Sequence, residues 1–261
     1  MFADYHSHSF FSFDGEAHAH EMAAMAARRG LDELCFTDHL DFDLYPTAHV
    51  PDFAARAREL ERLRELYPGL VIRAGTEVSL RDESCADRAR AAMAGHAFDF
   101  ILGSVHTVDG VDAWADRYYE GKTQAEAYRL YLEAIVRALP TLPEMNVLGH
   151  YDFVCKYAPY PDRAMRLSYG PEQFDFIFRH LIARGKALEI NTASWQQDAP
   201  WGLDILKRFR ELGGEFVTVG SDTHGYERVG ARVKEGLTLA KEAGIPYVAV
   251  FEGGTPIFHK L

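Results

Sequence analysis

The chain reads as an α/β protein built on a parallel sheet. Two observations predict this. Short β-rich runs alternate with longer helical stretches from one end of the 261 residues to the other. The helical stretches are also of the length that a crossover between parallel strands requires. The β-rich runs are 2–6, 33–38, 70–78, 99–106, 146–150, 186–191 and 215–222, with a further strand at 246–251. Helices are predicted between them. The segment 19–30 is rich in Ala and Met and stops at Gly30, and 52–69 runs until Pro68-Gly69. Thr123 and Glu126 have the spacing of a capping box and open a helix that continues to 139. The segments 171–185 and 203–214 each end at glycine, and 227–244 is interrupted by Gly230 and Gly236. Strand–helix–strand repetition of this kind implies right-handed crossovers in a sheet that either closes as a barrel or stays open.

No long linker, low-complexity tract or internal repeat divides the sequence, so one domain over residues 1–261 is the simplest organisation. Lys and Arg total 28 against 39 Asp and Glu, a formal charge of −11. That balance argues against a general nucleic-acid-binding surface, which needs a basic face. The longest apolar runs fall far short of the ~20 residues of a spanning helix. MFADYHSH has neither the basic nor the apolar region of a secretory leader. Cys35, Cys85 and Cys155 are odd in number and form no CxxC pair, which points to a reducing, cytoplasmic location.

The informative residues are histidines and carboxylates at strand ends. His6 and His8 end the first strand, His39 follows the second, and Glu77 closes the third. His106 closes the fourth, His150 the fifth, and Asp222 and His224 follow the seventh. In a parallel α/β fold the carboxyl ends of the strands are where sites are built. Side chains two residues apart on extended backbone share a face, so His6 and His8 can chelate together, as can Asp222 and His224. Asp14, before Gly15, can fold back over the same end. Each motif alone has an ordinary explanation: HxH pairs are common, TDH is also a helix cap, and single buried histidines are frequent. What they share is position. His18 and His20 also read HxH but open a helix, where residues i and i+2 point about 200° apart. They are left out, with His49, His96, His180 and His259.

In order, HSH with a downstream Asp-Gly, TDH, GTE, SVH, GHYD and SDTH resemble the PHP (polymerase and histidinol phosphatase) superfamily, from residue 4 to about residue 230. LEINT (188–192) and VGSDTHGYERVG resemble its stand-alone histidinol-phosphate phosphatases. The resemblance implies a distorted (β/α)7 barrel and three divalent ions. One would be held by His6, His8, Glu77 and Asp222, and a second by Glu77, His106 and His150, with Glu77 bridging. A third would be held by Asp14, His39 and His224. Some family members carry His in place of Asp14. The N/O donor set suits Zn, Mn or Fe. Three such ions and three carboxylates leave the site about +3, a setting for a phosphate dianion and for a metal-activated hydroxide. Glu77, Asp222 and His224 are assigned to catalysis.

The reaction so implied is hydrolysis of a small phosphomonoester, L-histidinol phosphate above others, in histidine biosynthesis. Arg163 and Lys156 are expected to bind phosphate. Asp109, Asp112, Asp116, Tyr118 and Tyr157, in the long stretches 108–122 and 152–169, are candidates for the leaving group. Asn191 is expected to hydrogen-bond near the site, Asp38 and Asp152 to orient ligands, and Trp195 and Trp201 to narrow the site or stack a ring. A nucleotide or oligonucleotide phosphoesterase is the alternative, and a metal-binding domain without catalysis a further one. An amidohydrolase-type barrel is disfavoured because the fourth strand, DFILGSVH, lacks lysine.

Overall fold

The computed structural model describes residues 1–43 and 49–261. In chain order its strands are β1 (Ala3–Asp4), β2 (Glu33–Phe36), β3 (His39–Leu40), β4 (Val71–Ser79), β5 (Phe100–Ser104), β6 (Thr107–Val108), β7 (Val111–Asp112), β8 (Val147–Leu148), β9 (Ala187–Asn191), β10 (Phe216–Gly220), β11 (Tyr247–Glu252) and β12 (Thr255–Lys260). Helices are α1 (Ala19–Arg29), α2 (Phe53–Leu66), α3 (Glu83–Met93), α4 (Asp116–Tyr119), α5 (Gln124–Ala138), α6 (Pro171–Ile182), α7 (Leu203–Glu211) and α8 (Val233–Glu242). The main sheet runs β1-β2-β4-β5-β8-β9-β10-β11-β12, with β3 also against β4. All its pairings are parallel except β11–β12.

The seven strands expected to form the barrel wall are thus all present in order. The seam between β10 and β1 is not a regular ladder. It is held by Tyr5 N–H to Val219 O (3.0 Å), Asp222 N–H to His6 O (2.8 Å) and His8 N–H to Thr223 O (2.8 Å). The eighth predicted strand, β11, pairs with the lower half of β10 through Phe216↔Tyr247 and Val217↔Val248. It then turns into the antiparallel β12, which the sequence reading did not anticipate.

Two further departures have simple causes. Helix α3 was not read from the sequence, although Asp82 caps it by accepting from Cys85 N–H. Its buried face is Cys85, Ala86, Ala89 and Met93, small residues whose periodicity is quiet. The last helix begins only at Val233, because Gly230 and Arg232 take left-handed backbone angles (φ 72° and 58°). Among the described residues no helix is long and apolar enough to cross a membrane.

Strand alternation divides the apolar residues into two layers. Leu188, Ile190, Val217 and Val219 face outward into the shell packed under the helices. Tyr5, Cys35, Phe100, Leu102 and Phe251 face inward and fill the lower barrel. Tyr5 meets Phe100 edge-on at 5.1 Å, and Phe100 lies 5.0 Å from Phe251. This aromatic floor blocks the N-terminal end, so the polar residues above it open only toward the strands' carboxyl ends.

The seam needs glycine at 220. A Cβ there would lie 2.3 Å from the His6 Cβ and 2.4 Å from Glu189 Oε1. Gly220→Ala is expected to destabilise the fold by about 1–3 kcal/mol in denaturant unfolding. Gly69→Ala, where a Cβ meets nothing within 4 Å, should stay within roughly ±0.5 kcal/mol.

Candidate metal centre

The polar layer is organised around Glu77, at the end of the long strand β4 and fully buried. Its two oxygens face different imidazoles. Oε2 lies 3.4 Å from Nε2 of His6 and 3.5 Å from Nε2 of His8. Oε1 lies 3.4 Å from Nε2 of His106 and 2.9 Å from Nε2 of His150. Asp222 Oδ1 completes the first side, 3.5 Å from Nε2 of both His6 and His8. Asp14, reaching in from the loop after β1, has Oδ2 3.5 Å from Nε2 of His39 and 3.2 Å from Nε2 of His224.

All nine strand-end residues singled out in the sequence therefore meet in one place. They fall into groups whose ligand atoms lie within 4.8 Å of one another: His8, Asp14, His39 and His224; His6, His8 and Asp222; His6, Glu77 and His150. A further group, His39, Asp41 and His106, includes a carboxylate the sequence reading did not name.

The donor set fits divalent cations. Nε2 of His6 and His8, Oε2 of Glu77 and Oδ1 of Asp14 are buried without hydrogen-bond partners. Leaving such atoms unmatched costs about 1–3 kcal/mol each, and a cation would engage them together. Burial, reinforced by His39 and His224, holds His8 well below the usual imidazole range, and burial also lowers His150. Neutral imidazole is the ligating form; in His6, His39 and His106 the neighbouring carboxylates outweigh burial and push the ring up, so those three would give up a proton to a bound cation. Burial pushes Glu77 up, but the neighbouring His6, His39 and His106 outweigh it and keep Glu77 ionised. Asp222 behaves alike: His6 and Lys156 overcome its burial. Its left-handed backbone (φ 48°), unusual for a residue with a Cβ, turns the chain at the end of β10 so that Asp222 and His224 both reach the centre.

A second set of contacts aims the ligands. Glu189 accepts from Nδ1 of His6 at 2.6 Å and from the His150 backbone N–H at 2.8 Å. This carboxylate was missed in the sequence reading. Its signal was there: in ALEIN, Leu188 and Ile190 point outward, so Glu189 and Asn191 must point into the barrel. Asn191 donates to Glu189 at 3.2 Å and to Asp222 at 3.0 Å, beside the centre as expected. Ser12 Oγ lies 3.1 Å from His8 Nδ1 and accepts from the His39 N–H.

The centre opens into a cavity of about 280 Å³. Lys156, Trp114, Phe13, Phe153 and Tyr157 line it along with Asp41 and seven of the nine clustered residues, His6 and His8 being the two that do not. Lys156 is buried, and its ammonium pairs with Asp222 Oδ2. Burial works against its charge, but Asp222 more than compensates, so the amine stays protonated.

Several residues proposed as substrate contacts lie elsewhere. Tyr118 is in the core, its hydroxyl donating to Ala127 O at 2.6 Å, because the loop carrying it folds inward as α4. Arg163 lines a different cavity and is tied to Gln196 (2.8 Å) and Asp198 (2.6 Å), and it also donates to the Lys156 carbonyl. It braces the Lys156 loop from behind. Asp109 pairs with Arg137, and neither Asp112 nor Asp116 lines the metal cavity. Trp195 is buried, and Trp201 donates to Asp152 at 2.7 Å, so neither narrows the site. Asp152 holds Ser194 and Trp201, and Asp38 holds Ser9 and Arg56; no hydrogen bond joins either to a ligand imidazole.

Glu189→Gln keeps the size but weakens acceptance from His6. It is expected to lower zinc affinity roughly 10–100-fold, read by chelator competition, with little change in the melting temperature of the metal-stripped protein.

Comparisons with known proteins identify the family. A family profile described as "PHP domain" matches residues 4–193. A histidinol-phosphatase from Lactococcus lactis subsp. lactis (strain IL1403) is 32% identical over 258 residues, covering 96% of this chain and 94% of the relative. A probable histidinol-phosphatase from Thermotoga maritima is 28% identical over 249 residues, covering 95% and 94%. The crystal structure of the Lactococcus lactis histidinol phosphate phosphatase, complexed with zinc, L-histidinol and phosphate, superposes with a TM-score of 0.88 at 31% identity, covering 98% of both chains. With its barrel strands, its strand-end ligands and these relatives in agreement, the chain belongs to the PHP family.

Proposed function

We propose that the protein is a metal-dependent phosphatase that hydrolyses L-histidinol phosphate to L-histidinol and phosphate. The observation that carries the reading is the clustering of six imidazoles and three carboxylates at one cavity, lined by all of them except His6 and His8, that also holds a buried, protonated lysine. The family and the whole-length similarity to a phosphatase crystallised with zinc, L-histidinol and phosphate support it.

Three divalent ions are the occupancy this donor set suits. His6, His8 and Asp222 with Glu77 would hold the first, Glu77 with His106 and His150 the second, and Asp14 with His39 and His224 the third. Bound there, divalent ions lower the pKa of water toward neutrality and offset phosphate charge. The chain's own residues supply the rest. Lys156 adds a fixed positive charge on the cavity side of Asp222, placed to hold a phosphate oxygen. Glu189 and Asn191 keep His6 and Asp222 from swinging toward the substrate. Of the residues assigned to catalysis, Glu77 divides its oxygens between two imidazole pairs. Asp222 and His224 line the same cavity, Asp222 buried beside Lys156 and His224 more open to solvent.

The rim favours a leaving group with a flat ring. Phe13, Trp114 and Tyr157 are 52%, 51% and 46% exposed although they line a cavity. Exposed aromatic faces bind imidazole and ammonium groups alike. Lys156 is the one cationic side chain among the described lining residues, which leaves the backbone phosphates of an oligonucleotide without further partners.

The test is phosphate release from a panel containing L-histidinol phosphate, nucleoside monophosphates and p-nitrophenyl phosphate, with metal content measured in the same sample. L-Histidinol phosphate should show the highest kcat/KM, chelation should abolish turnover, and zinc should restore it. A zinc-loaded protein that leaves L-histidinol phosphate intact sinks the proposal. Lys156→Met should reduce kcat/KM roughly 10–100-fold, the equivalent of one charge-assisted hydrogen bond of about 1.5–3 kcal/mol, while metal content is retained.

A further inference from the structure

Asp41 belongs to none of the sequence motifs, yet the fold delivers it to the centre. It follows His39 by two residues on extended backbone and so shares its side, while Leu40 between them is turned into the core. Two backbone hydrogen bonds with His49, of 3.0 and 3.2 Å, fix Asp41 in place. The carboxylate is 6% exposed and lines the metal cavity.

Its two oxygens face two different imidazoles. Oδ2 lies 3.3 Å from Nδ1 of His39, and Oδ1 lies 3.9 Å from Nδ1 of His106. Oδ1 of Asp41 and Nδ1 of His39 are both buried and without a hydrogen-bond partner, so the two approaches are ion-pair contacts, not yet hydrogen bonds. The opposite nitrogens of the same rings point at other carboxylates: Nε2 of His39 at Asp14 and Nε2 of His106 at Glu77. Those two rings therefore belong to different ligand groups but turn the same edge toward one acidic side chain. Glu77 Oε2 also approaches His39 Nδ1, at 3.0 Å. When Glu77 serves as a ligand that oxygen is engaged, and Asp41 is the acceptor that remains.

We infer that Asp41 is a positioning residue, one carboxylate that accepts Nδ1–H from both His39 and His106 and holds both rings in the tautomer that presents Nε2 to a metal. The inference rests on the metal-centre reading above. It parallels Glu189, which serves His6, with one difference. Asp41 spans two ion positions, so its loss is felt at both, whereas the group of His6, His8 and Asp222 has its own support.

The test uses zinc alone as the probe. Bound zinc per chain is measured against graded chelator for the wild type, Asp41→Asn and Asp41→Glu, with the melting temperature of each stripped protein. Asp41→Asn, which offers one acceptor where two are needed, should require roughly 10–100-fold more free zinc to load fully. Asp41→Glu should recover part of the loss. Imidazole nitrogen NMR of the zinc-loaded wild type should show His39 and His106 protonated at Nδ1 and bound through Nε2. Wild-type loading by Asp41→Asn overturns the inference, as does Nδ1 ligation of either ring, which would leave Asp41 nothing to accept. If stripped Asp41→Asn melts far below the stripped wild type, the wild-type nitrogen spectrum alone decides. A wild type that takes up no zinc defeats the metal-centre reading itself, a result distinct from equal loading of the two proteins.

Discussion

The structure depends on keeping one ionised carboxylate, Glu77, out of water. A buried carboxylate without partners is costly enough to be protonated or expelled. Glu77 avoids this because imidazoles just past the ends of β1, β5 and β8, and one in β3, converge on it. Each of those strands must end at the right height for that to happen. The register of the sheet is therefore tied to the chemistry: His39 pairs across from Glu77, and Glu77 from Leu102, in adjacent parallel ladders.

The barrel interior is layered along the strand axis to meet this constraint. Below, Tyr5, Phe100 and Phe251 form an apolar floor. Above it come Glu189 and Asn191, then the clustered histidines and carboxylates with Asp41 two residues beyond His39, and last the aromatic rim. Electrostatic demands increase upward, and so does access to solvent: Glu77 is wholly buried, while the side chain of Asp14 is 35% exposed. A chain of net charge −11 can thus offer an anion a locally favourable place, through Lys156 and the cations the clustered residues would hold.

The clustered histidines and carboxylates were legible in the sequence because strand ends are positions that hydrophobic periodicity marks out, and His or Asp there stands out against Val and Leu. The supporting residues were not, for particular reasons. Glu189 lies within a strand, where a single acidic residue looks like a solvated face unless the strand is known to be buried on both sides. Asp41 is hidden in the dipeptide repeat of LDFD, next to a more conspicuous histidine. Tyr118 and Arg163 were drawn toward the substrate by the length of their loops, but length says nothing about which way a loop folds. One folds into the core as α4, the other braces the turn behind Lys156. Helix α3 escaped because its buried face is built from alanine and cysteine. The second strand of the C-terminal hairpin escaped because, among the described residues, β12 pairs with β11 alone.

The join between the first and last barrel strands has a consequence of its own. Three backbone hydrogen bonds close it, and two of them involve His6, His8 or Asp222 directly. Cations gripped by those residues would act as a clasp across the joint, tying the start of the chain to a segment more than two hundred positions away. Emptying the centre would then loosen the cylinder first at this one line, so that stripping metal and fraying the N-terminus become the same event.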